Sequence, residues 1–308
     1  MTVQTMDPVR RKRRPGRPAW EEPPTAVGQT AKTVVLAIVV LAVVFPLWSI
    51  AVTSVSSRET INETGGMVVI PRDFDLSAYI TIFAGGQVTN AVWISTLVSV
   101  VGAAFSLTLT VLAAYGLSRP NSVGHRAILF YFLMTFLIYP GMVPSYLVVT
   151  AFGLKDNIWA LVLPSAISAF NLVVIRAFFM NVPQELLDSA RLDGAGELGI
   201  LWRIVLPLSK AVIAVVGLFY AVGYWNAFFT ALLYIDDNDK WPVQRLLQSY
   251  ILAGQTPNVS GSSVGVSMPP TLAIKMAVVI ITVAPIVAVY PFVQRHFVKG
   301  VIVGAVKG

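Results

Sequence analysis

Long apolar stretches without a charged residue dominate the chain and predict its helices. Six of them are long enough, or nearly so, to cross about 30 Å of hydrocarbon, which takes roughly 20 helical residues. They cover residues 33–57, 76–118 (with the apolar half from about 91 to 117), 127–154, 157–175, 211–235 and 276–294. Because backbone amides in lipid must be bonded within their own segment, we expect helices here and not strands. A further charge-free stretch, 246–274, is rich in Gly, Ser, Pro, Gln and Asn and is predicted to be a loop.

The composition of the 308 residues assigns the class. Apolar residues make up 56% and charged residues only 12%, whereas an average soluble domain has roughly 25% charged residues. There is no cysteine, which excludes disulfides, thiolate metal sites and cysteine nucleophiles. The two histidines, His125 and His296, are too few for a histidine-rich metal site. We therefore expect an all-α membrane protein with six transmembrane helices and no metal site.

The basic residues predict the orientation of these six helices. With both termini on the cytoplasmic side, 16 of the 22 Lys and Arg residues lie inside and five lie outside. Cytoplasmic loops of membrane proteins carry the excess of Lys and Arg. Both termini are therefore predicted to be cytoplasmic, and the net charge of +7 indicates topology and not nucleic-acid binding.

The first thirty residues are polar, rich in proline and contain the basic cluster RRKRRPGR. One interpretation is a patch that binds nucleic acid or anionic lipid. The interpretation we favour is a disordered basic cytoplasmic tail, residues 1–30, that helps to anchor the first helix. A cleaved signal peptide is disfavoured, because its apolar core is about 7–15 residues long and the run that follows here is longer.

The connection between the fourth and fifth predicted helices, residues 181–210, is unusually long for an inner loop. It reads NVPQELLDSARLDGAGELGILWRIVLPLSK. The stretch 184–193 predicts a short amphipathic helix, whose apolar side holds Leu186, Leu187, Ala190 and Leu192. Gly194 and Gly196 are predicted to break it, and a second helix is predicted from about Glu197. Such a segment either contacts a cytoplasmic partner or rests on lipid as an interfacial helix.

This segment resembles the EAA motif of ABC importer permeases, in which Glu-Ala-Ala is followed by three variable residues and Gly. Asp188 and Ser189 stand in for the first two residues of the triplet, Ala190 and Gly194 match it, and a Leu-Pro follows at Leu206-Pro207. The resemblance implies a type I (MetI-like) permease with six transmembrane helices. It also implies that the residues that couple the permease to an ATPase are Glu185, Asp188, Ser189, Ala190, Asp193 and Gly194.

Two further stretches resemble the carbohydrate branch of that family. The end of the chain, QRHFVKGVIVGAVKG, is similar to the tail of the smaller permease of maltose-type importers. The tail residues for which the resemblance implies ATPase contacts are Lys299, Gly300, Gly304 and Lys307. The stretch LFYAVGYWNAFFTALLYI resembles permeases of polysaccharide-derived or uronate-containing oligosaccharides.

The resemblance implies a permease subunit of a binding-protein-dependent importer, and not an enzyme, in a bacterial cytoplasmic membrane. Its implied partners are a second homologous permease, two ABC ATPase subunits, an extracytoplasmic sugar-binding protein and membrane lipid, with no nucleic acid. ATP and Mg would be bound by the ATPase subunits. This agrees with the sequence, which contains no G-x-x-x-x-G-K-[ST] phosphate-binding loop.

Aromatic and amide side chains in an apolar path are the groups that bind sugars. The candidates for a substrate path are Asn171, Tyr220, Tyr224, Trp225, Asn226 and Phe228. The alternative for the aromatic stripe is helix packing alone. The long outer segment, residues 236–270, is predicted to contact the binding protein.

The predicted organisation has four parts: the tail 1–30, a first helix with its outer loop over 31–88, a five-helix core over 89–296 and a cytoplasmic tail over 297–308. Other functions remain open at this point. They include the same architecture for a non-sugar solute and a secondary transporter. The second is disfavoured, because no ionisable residue lies inside the six predicted helices.

Overall fold

The computed structural model describes residues 25–119, 122–138, 140–251 and 271–305, the last range with side chains only for residues 272–291. Every regular element in these ranges is helical. Helix α1, Ala26–Ser54, begins inside the segment expected to be a tail, whereas the basic cluster at residues 10–17 lies outside the described residues. The described residues up to Trp48 form one compact unit and those from Ser49 onward form another.

The connection after α1 is folded. It contains α2, Arg58–Glu63, and α3, Ser77–Ala84. The predicted stretch 76–118 is two helices, because Gly86 has φ +69° and separates α3 from the long helix α4, Gln87–Ser118. A positive φ is a conformation that glycine adopts without steric cost.

The remaining helices are shorter, except the last. In chain order they are α5 His125–Leu137, α6 Met142–Ala151, α7 Ala169–Met180, α8 Gln184–Leu192, α9 Glu197–Ile200, a π-helical turn Leu201–Val205, α10 Leu206–Leu208, α11 Lys210–Trp225, α12 Phe228–Tyr234, α13 Val243–Ile251 and α14 Thr271–Ala305. Short 3₁₀ turns at Ile158–Leu161 and Leu163–Ser165 precede α7.

Three described helices are long and apolar enough to cross a membrane on length and composition. They are α1, α4 and the part Leu272–Pro291 of α14. Three bent helix pairs pass the same test together, which makes up to six spans if each pair is one. The 3₁₀ turns and α7 differ in direction by 54°, and Glu197–Leu208 differs from α11 by 87°.

Two predicted elements are wrong in their continuity. The stretch 127–154 is not one helix, because Gly141, with φ +88°, precedes a separate α6. The stretch 246–274 is not a loop at its described ends: α13 extends to Ile251, and α14 begins at Thr271. Residues 252–270, the second half of the outer segment predicted to contact a binding protein, lie outside the described residues.

The main core surrounds α4, which packs against α11 on one side and α7 on the other. Gly102 permits the close approach to α11, because a Cβ there would lie 3.0 Å from the ring of Tyr224. A second core cluster joins α3, α13 and α14 through buried residues that include Ile82, Tyr250 and Val278. The two clusters fix the positions of the elements that carry the candidate site.

Candidate functional site

The coupling segment, residues 181–210, begins with a regular helix start. Pro183 is the N-cap residue of α8, and Glu185 lies in its first turn, where a carboxylate interacts favourably with the helix dipole. Asp188, also expected near the start, is the fifth residue of α8 and lies one turn further on. Of these two acidic residues, only Glu185 is placed to stabilise the start of the helix.

Helix α8 is anchored to the core by a single fully buried side chain. Leu187 is 2% exposed and belongs to the main core, and Ala190 packs partly against it. Leu186 and Leu192 were predicted on the same apolar side, but they are exposed, Leu192 by 89%. Two of the four residues of the predicted apolar side are therefore not part of the core, and the helix presents two leucines away from it.

The end of α8 is a Schellman motif built on Gly194. This residue has φ +81°. The amide of Ala195 donates to the carbonyl of Ala190 (2.9 Å), and the amide of Gly194 donates to the carbonyl of Arg191 (3.0 Å). Gly196 has φ −70° and ψ 160°, so only the first of the two glycines predicted to break the helix requires a left-handed backbone.

A network of charges bridges this turn. Arg191 donates to Oδ1 of Asp188 (2.9 Å) and, across the turn, to Oε1 of Glu197 (3.0 Å). The hydrogen bond to Glu197 is the main cause of the raised pKa of the Arg191 guanidinium. Asp188, expected to face a partner, is thus paired within its own segment, together with Gln184, whose Nε2 donates to it (3.2 Å).

The same network ties the coupling segment to α4. The hydroxyl of Tyr115 donates to Oε2 of Glu197 (2.6 Å) and accepts a hydrogen bond from Arg119 (2.6 Å). The Arg119 guanidinium also lies over the Tyr115 ring, 4.4 Å from its centroid. Since α4 is the central helix of the main core, a displacement of the coupling segment is resisted by this contact.

The other predicted coupling residues lie on the same short stretch. Ser189 and Asp193 are exposed, and the Asp193 amide donates to the Ser189 carbonyl (3.0 Å). The structure therefore places all six residues of the predicted coupling motif on α8 and the turn that ends it.

A cleft of about 310 Å³ lies between the start of α7 and the end of α11, and we call it the α7–α11 cleft. Its lining residues are Leu161, Ser165, Ser168, Asn171, Phe219, Tyr220, Gly223, Tyr224, Ala227 and Thr230. Three of the six predicted substrate-path residues thus come together here. Asn171, Tyr220 and Tyr224 are all buried, and the two tyrosine rings stack at 6.4 Å between centroids.

The hydroxyl groups of both tyrosines are used by the protein itself. Tyr220 accepts from the amide of Ser168 (2.9 Å) and bonds Oγ1 of Thr110 on α4 (2.7 Å). Tyr224 bonds Oγ of Ser106 (2.7 Å) and donates to the carbonyl of Val162 (3.3 Å). These hydroxyls hold α11 against α4 and α7, so the packing interpretation accounts for them, and only the ring faces remain for a ligand.

The other three predicted path residues do not line this cleft. The buried Trp225 donates from Nε1 to the carbonyl of Thr282 on α14 (3.1 Å). Asn226 is exposed in the break between α11 and α12 and accepts from Gln244 (3.1 Å). Phe228 is half-buried at the start of α12.

Thr230 is a cleft residue that the sequence did not single out. Its Oγ1 is buried and has no hydrogen-bond partner within the described part of the chain. A hydroxyl in that state favours a ligand or water. Only the break after Trp225, which turns α12 toward the cleft, gives Thr230 this position, and no sequence pattern predicts that break.

The predicted tail is largely helical. Helix α14 runs to Ala305, so Lys299, Gly300 and Gly304 continue it, and Lys307 lies outside the described residues.

Comparisons with known proteins identify the family of the chain. A family profile described as "Binding-protein-dependent transport system inner membrane component" matches residues 106–303. The chain is 45% identical over 243 residues to the polygalacturonan/rhamnogalacturonan transport system permease protein YtcP of Bacillus subtilis, covering 78% of this chain and 85% of that protein. It is 45% identical over 240 residues to protein LplC of Bacillus subtilis, covering 78% and 81%.

A solved structure is also similar. It is the crystal structure of a bacterial ABC transporter involved in the import of the acidic polysaccharide alginate. One of its chains superposes with a TM-score of 0.82 at 29% sequence identity, covering 88% of this chain and 96% of that one.

Proposed function

Because this chain belongs to the family of inner-membrane components of binding-protein-dependent transport systems, we propose that it is a permease subunit of a carbohydrate ABC importer. The observation that carries the proposal is the α8 segment, whose Gly194 turn, core anchor and exposed leucines make a rigid projecting helix. The importer would contain a second permease, two ABC ATPase subunits and an extracytoplasmic sugar-binding protein. In this arrangement the three bent helix pairs each count as one span, which gives six spans and cytoplasmic termini.

The coupling segment would dock into an ATPase subunit. Leu186 and Leu192 are exposed and apolar, and Glu185 lies beside them with no ion pair among the described residues. An apolar pair flanked by a carboxylate suits a groove with an apolar floor and a basic rim. Asp188 has a different role in this proposal: with Arg191 and Glu197 it holds the turn rigid. ATPase closure would then move α8 and, through Tyr115, the core helix α4.

The α7–α11 cleft would form one wall of the sugar path. The stacked rings of Tyr220 and Tyr224, the amide of Asn171 and the hydroxyl of Thr230 are the kinds of groups that sugars contact. Trp225 is excluded from this role, because its ring packs in the cluster that contains α14 and its Nε1 donates to the Thr282 carbonyl there. The ATPase contacts implied for Lys299, Gly300, Gly304 and Lys307 remain part of this proposal, with α14 as a helical extension that reaches the ATPase pair.

The substrate class that we propose is an oligosaccharide from an acidic polysaccharide. The support is that YtcP is named for polygalacturonan and rhamnogalacturonan, and the similar solved transporter for alginate. No basic residue lines the α7–α11 cleft among the described residues. We therefore expect the sugar carboxylates to be bound by the second permease, and this chain to contact neutral parts of the sugar.

The test is transport by the complete complex in proteoliposomes with its binding protein. ATP-dependent accumulation of oligogalacturonides is the expected result, and the same liposomes should not accumulate peptides. Accumulation of neutral maltooligosaccharides at an equal rate would contradict the acidic substrate class alone. Failure to accumulate any sugar, with the binding protein loaded and the ATPases active, would contradict the carbohydrate function.

A further inference from the structure

A second cavity, of about 310 Å³, lies beside the coupling segment and holds three basic side chains. It is bounded by the end of α4, the start of α5, the end of α7 and the start of α8, and we call it the arginine pocket. Arg119, Arg176 and His125 line it, together with Ser118, Gln184 and the buried Leu187. No Asp or Glu lines it among the described residues. The pocket is distinct from the α7–α11 cleft, with which it shares no lining residue.

Each basic group is oriented by contacts within the protein. Arg176 donates from Nε to the carbonyl of Leu117 (2.9 Å), and Nδ1 of His125 bonds the carbonyl of Ser122 (3.1 Å). Arg119 donates a hydrogen bond from one terminal nitrogen to the Tyr115 hydroxyl (2.6 Å). The partners in these hydrogen bonds are uncharged carbonyl and phenol groups.

Within the described part of the chain, one arginine of the pocket has no counter-ion, and the other has a buried N–H group without an acceptor. Nε of Arg119 is buried without a hydrogen-bond partner among the described residues, although such donors are normally paired. Arg176 makes no ion pair with any described residue. Glu197, 3.7 Å from Arg119, is shared with Arg191 on the far side of the turn. The network therefore leaves positive charge facing the pocket.

Helix dipoles explain only part of this arrangement. Cations are favoured at helix C-termini. Arg119 caps the C-terminus of α4, whereas Arg176 lies within α7, before its last turn. A helix dipole would also stabilise such a cation if its side chain extended into solvent. It does not account for two guanidinium groups in one cavity with an unpaired buried Nε, because like charges held together cost free energy until an anion joins them.

We propose that the arginine pocket binds a phosphate group of net negative charge at the membrane boundary, and not a phosphocholine group, whose negative charge is balanced by its own cation. Guanidinium groups bind phosphate oxygens with paired, charge-assisted hydrogen bonds, and basic pockets between membrane helices take anionic headgroups. Arg119 follows the apolar helix α4 directly, which places the pocket at the depth of lipid phosphates. Since Gln184 and Leu187 of α8 form one wall, an occupied pocket stabilises the position of the coupling segment. The inference does not depend on the transported solute.

The test uses the complete transporter in nanodiscs of neutral phosphatidylcholine. Phosphatidylglycerol is added to one set and inorganic phosphate to another, and thermal stability and lipid retained in native mass spectrometry are measured. A stabilisation by phosphatidylglycerol alone identifies a lipid headgroup as the source, and one by inorganic phosphate identifies a soluble anion. No effect of either anion overturns the proposal.

Two variants test whether the anion binds in the arginine pocket. Arg176→Gln should weaken binding of the effective anion by about tenfold or more, because it removes a charge-assisted hydrogen bond. Arg126→Gln is the matched control: Arg126 is exposed, follows His125 directly and does not line the pocket. Equal effects of the two variants would overturn the site. So would a loss of co-purified ATPase in Arg176→Gln without any anion effect, since the pocket would then be a partner contact. If Arg176→Gln does not insert, His125→Gln serves as the second pocket variant.

Discussion

The hydroxyl of Tyr115 and Oε2 of Glu197 lie 2.6 Å apart, and this hydrogen bond joins the central helix α4 to the coupling segment. It connects residues 82 positions apart in the chain. The hydroxyl also accepts from Arg119, so one oxygen bridges a cation and an anion. The phenol group of Tyr115 therefore joins the coupling segment to the core, in addition to the buried side chain of Leu187.

Tyr115→Phe should uncouple these elements. It removes the bridging hydroxyl and leaves only the 3.7 Å ion pair between Arg119 and Glu197. This loss should lower the free energy of unfolding by about 1–3 kcal/mol. ATP hydrolysis stimulated by the loaded binding protein should fall further than membrane level does. Tyr131→Phe on α5 is the control, because the Tyr131 side chain is exposed. Equal stimulation in both variants would contradict the link.

The turn after α8 allows a sharper test with two glycines. Gly194 has φ +81° and open space where a Cβ would lie, so Gly194→Val meets only backbone strain, about 1–2 kcal/mol. Gly196 also has open space, but its φ of −70° suits valine. Gly194→Val should abolish uptake with the protein still inserted, whereas Gly196→Val should transport normally. Uptake assays with membrane-level controls measure both, and similar uptake would remove the case for a required turn.

The contact between α4 and α11 can be tested with a matched pair on one helix. A Cβ at Gly102 would lie 3.0 Å from the Tyr224 ring and 3.1 Å from Val162, whereas one at Gly116 would meet nothing within 4 Å. Gly102→Ala should destabilise the protein by about 1–3 kcal/mol through overpacking. Gly116→Ala should be neutral or stabilise by up to about 1 kcal/mol, because glycine is unfavourable inside a helix. Thermal unfolding of the purified complex would detect the difference.

Thr230 tests the α7–α11 cleft. Thr230→Val keeps the shape and removes a buried hydroxyl without a partner among the described residues, so stability should be unchanged or slightly higher. If the hydroxyl contacts sugar, KM for uptake should rise about tenfold, the loss of roughly 1.4 kcal/mol of binding. Thr108→Val on the exposed side of α4, whose Oγ1 bonds the carbonyl of Ala104, is the control. An unchanged KM in both variants would leave the cleft without a sugar contact at this position.

The sequence predicted the positions of the apolar helices and the turn at Gly194, because both depend on local properties. Apolar runs set helix location, and only glycine adopts the left-handed backbone without cost. It did not predict α13, whose segment was interpreted as a loop. Leu246 and Tyr250 are buried there, and α13 packs against α14 and α4. These partners, remote in sequence, stabilise a short helix of low intrinsic preference.

The candidate site was predictable as a set of residue types but not as a geometry. Asn171, Tyr220 and Tyr224 were identified because aromatic rings and amides are the groups that bind sugars. Their partners, such as Thr110, depend on the rotation of α4 relative to α11, which side-chain periodicity leaves undetermined. The same applies to the arginine pocket, since Arg119 and Arg176 are 57 positions apart and were interpreted only as topology signals.

Asp156 provides a test of pH dependence in a turn outside the candidate spans. It has φ +61°, and its Oδ1 accepts hydrogen bonds from the amides of Asp236 (3.1 Å) and Asp237 (3.0 Å). Lys240 lies 3.4 Å from its other carboxylate oxygen. These contacts, led by the hydrogen bond from the Asp237 amide, lower the pKa of Asp156.

Asp156→Asn should therefore change how stability responds to acid. A carboxylate with a lowered folded pKa contributes stability that is complete above its unfolded pKa, about 4, and is lost as the pH falls through the folded value. The wild-type transporter should lose this contribution on acidification from neutral pH to about pH 3, and Asp156→Asn should show a shallower loss because its amide does not titrate in this range.

Asparagine also tolerates the left-handed backbone and can still accept both amide hydrogen bonds, so the variant should fold. Asp239→Asn, exposed in the turn Asn238–Lys240 that carries Lys240, is the control. Unfolding midpoints measured against pH should separate the two, and parallel pH profiles for Asp156→Asn and wild type would show that this carboxylate has no part in acid unfolding.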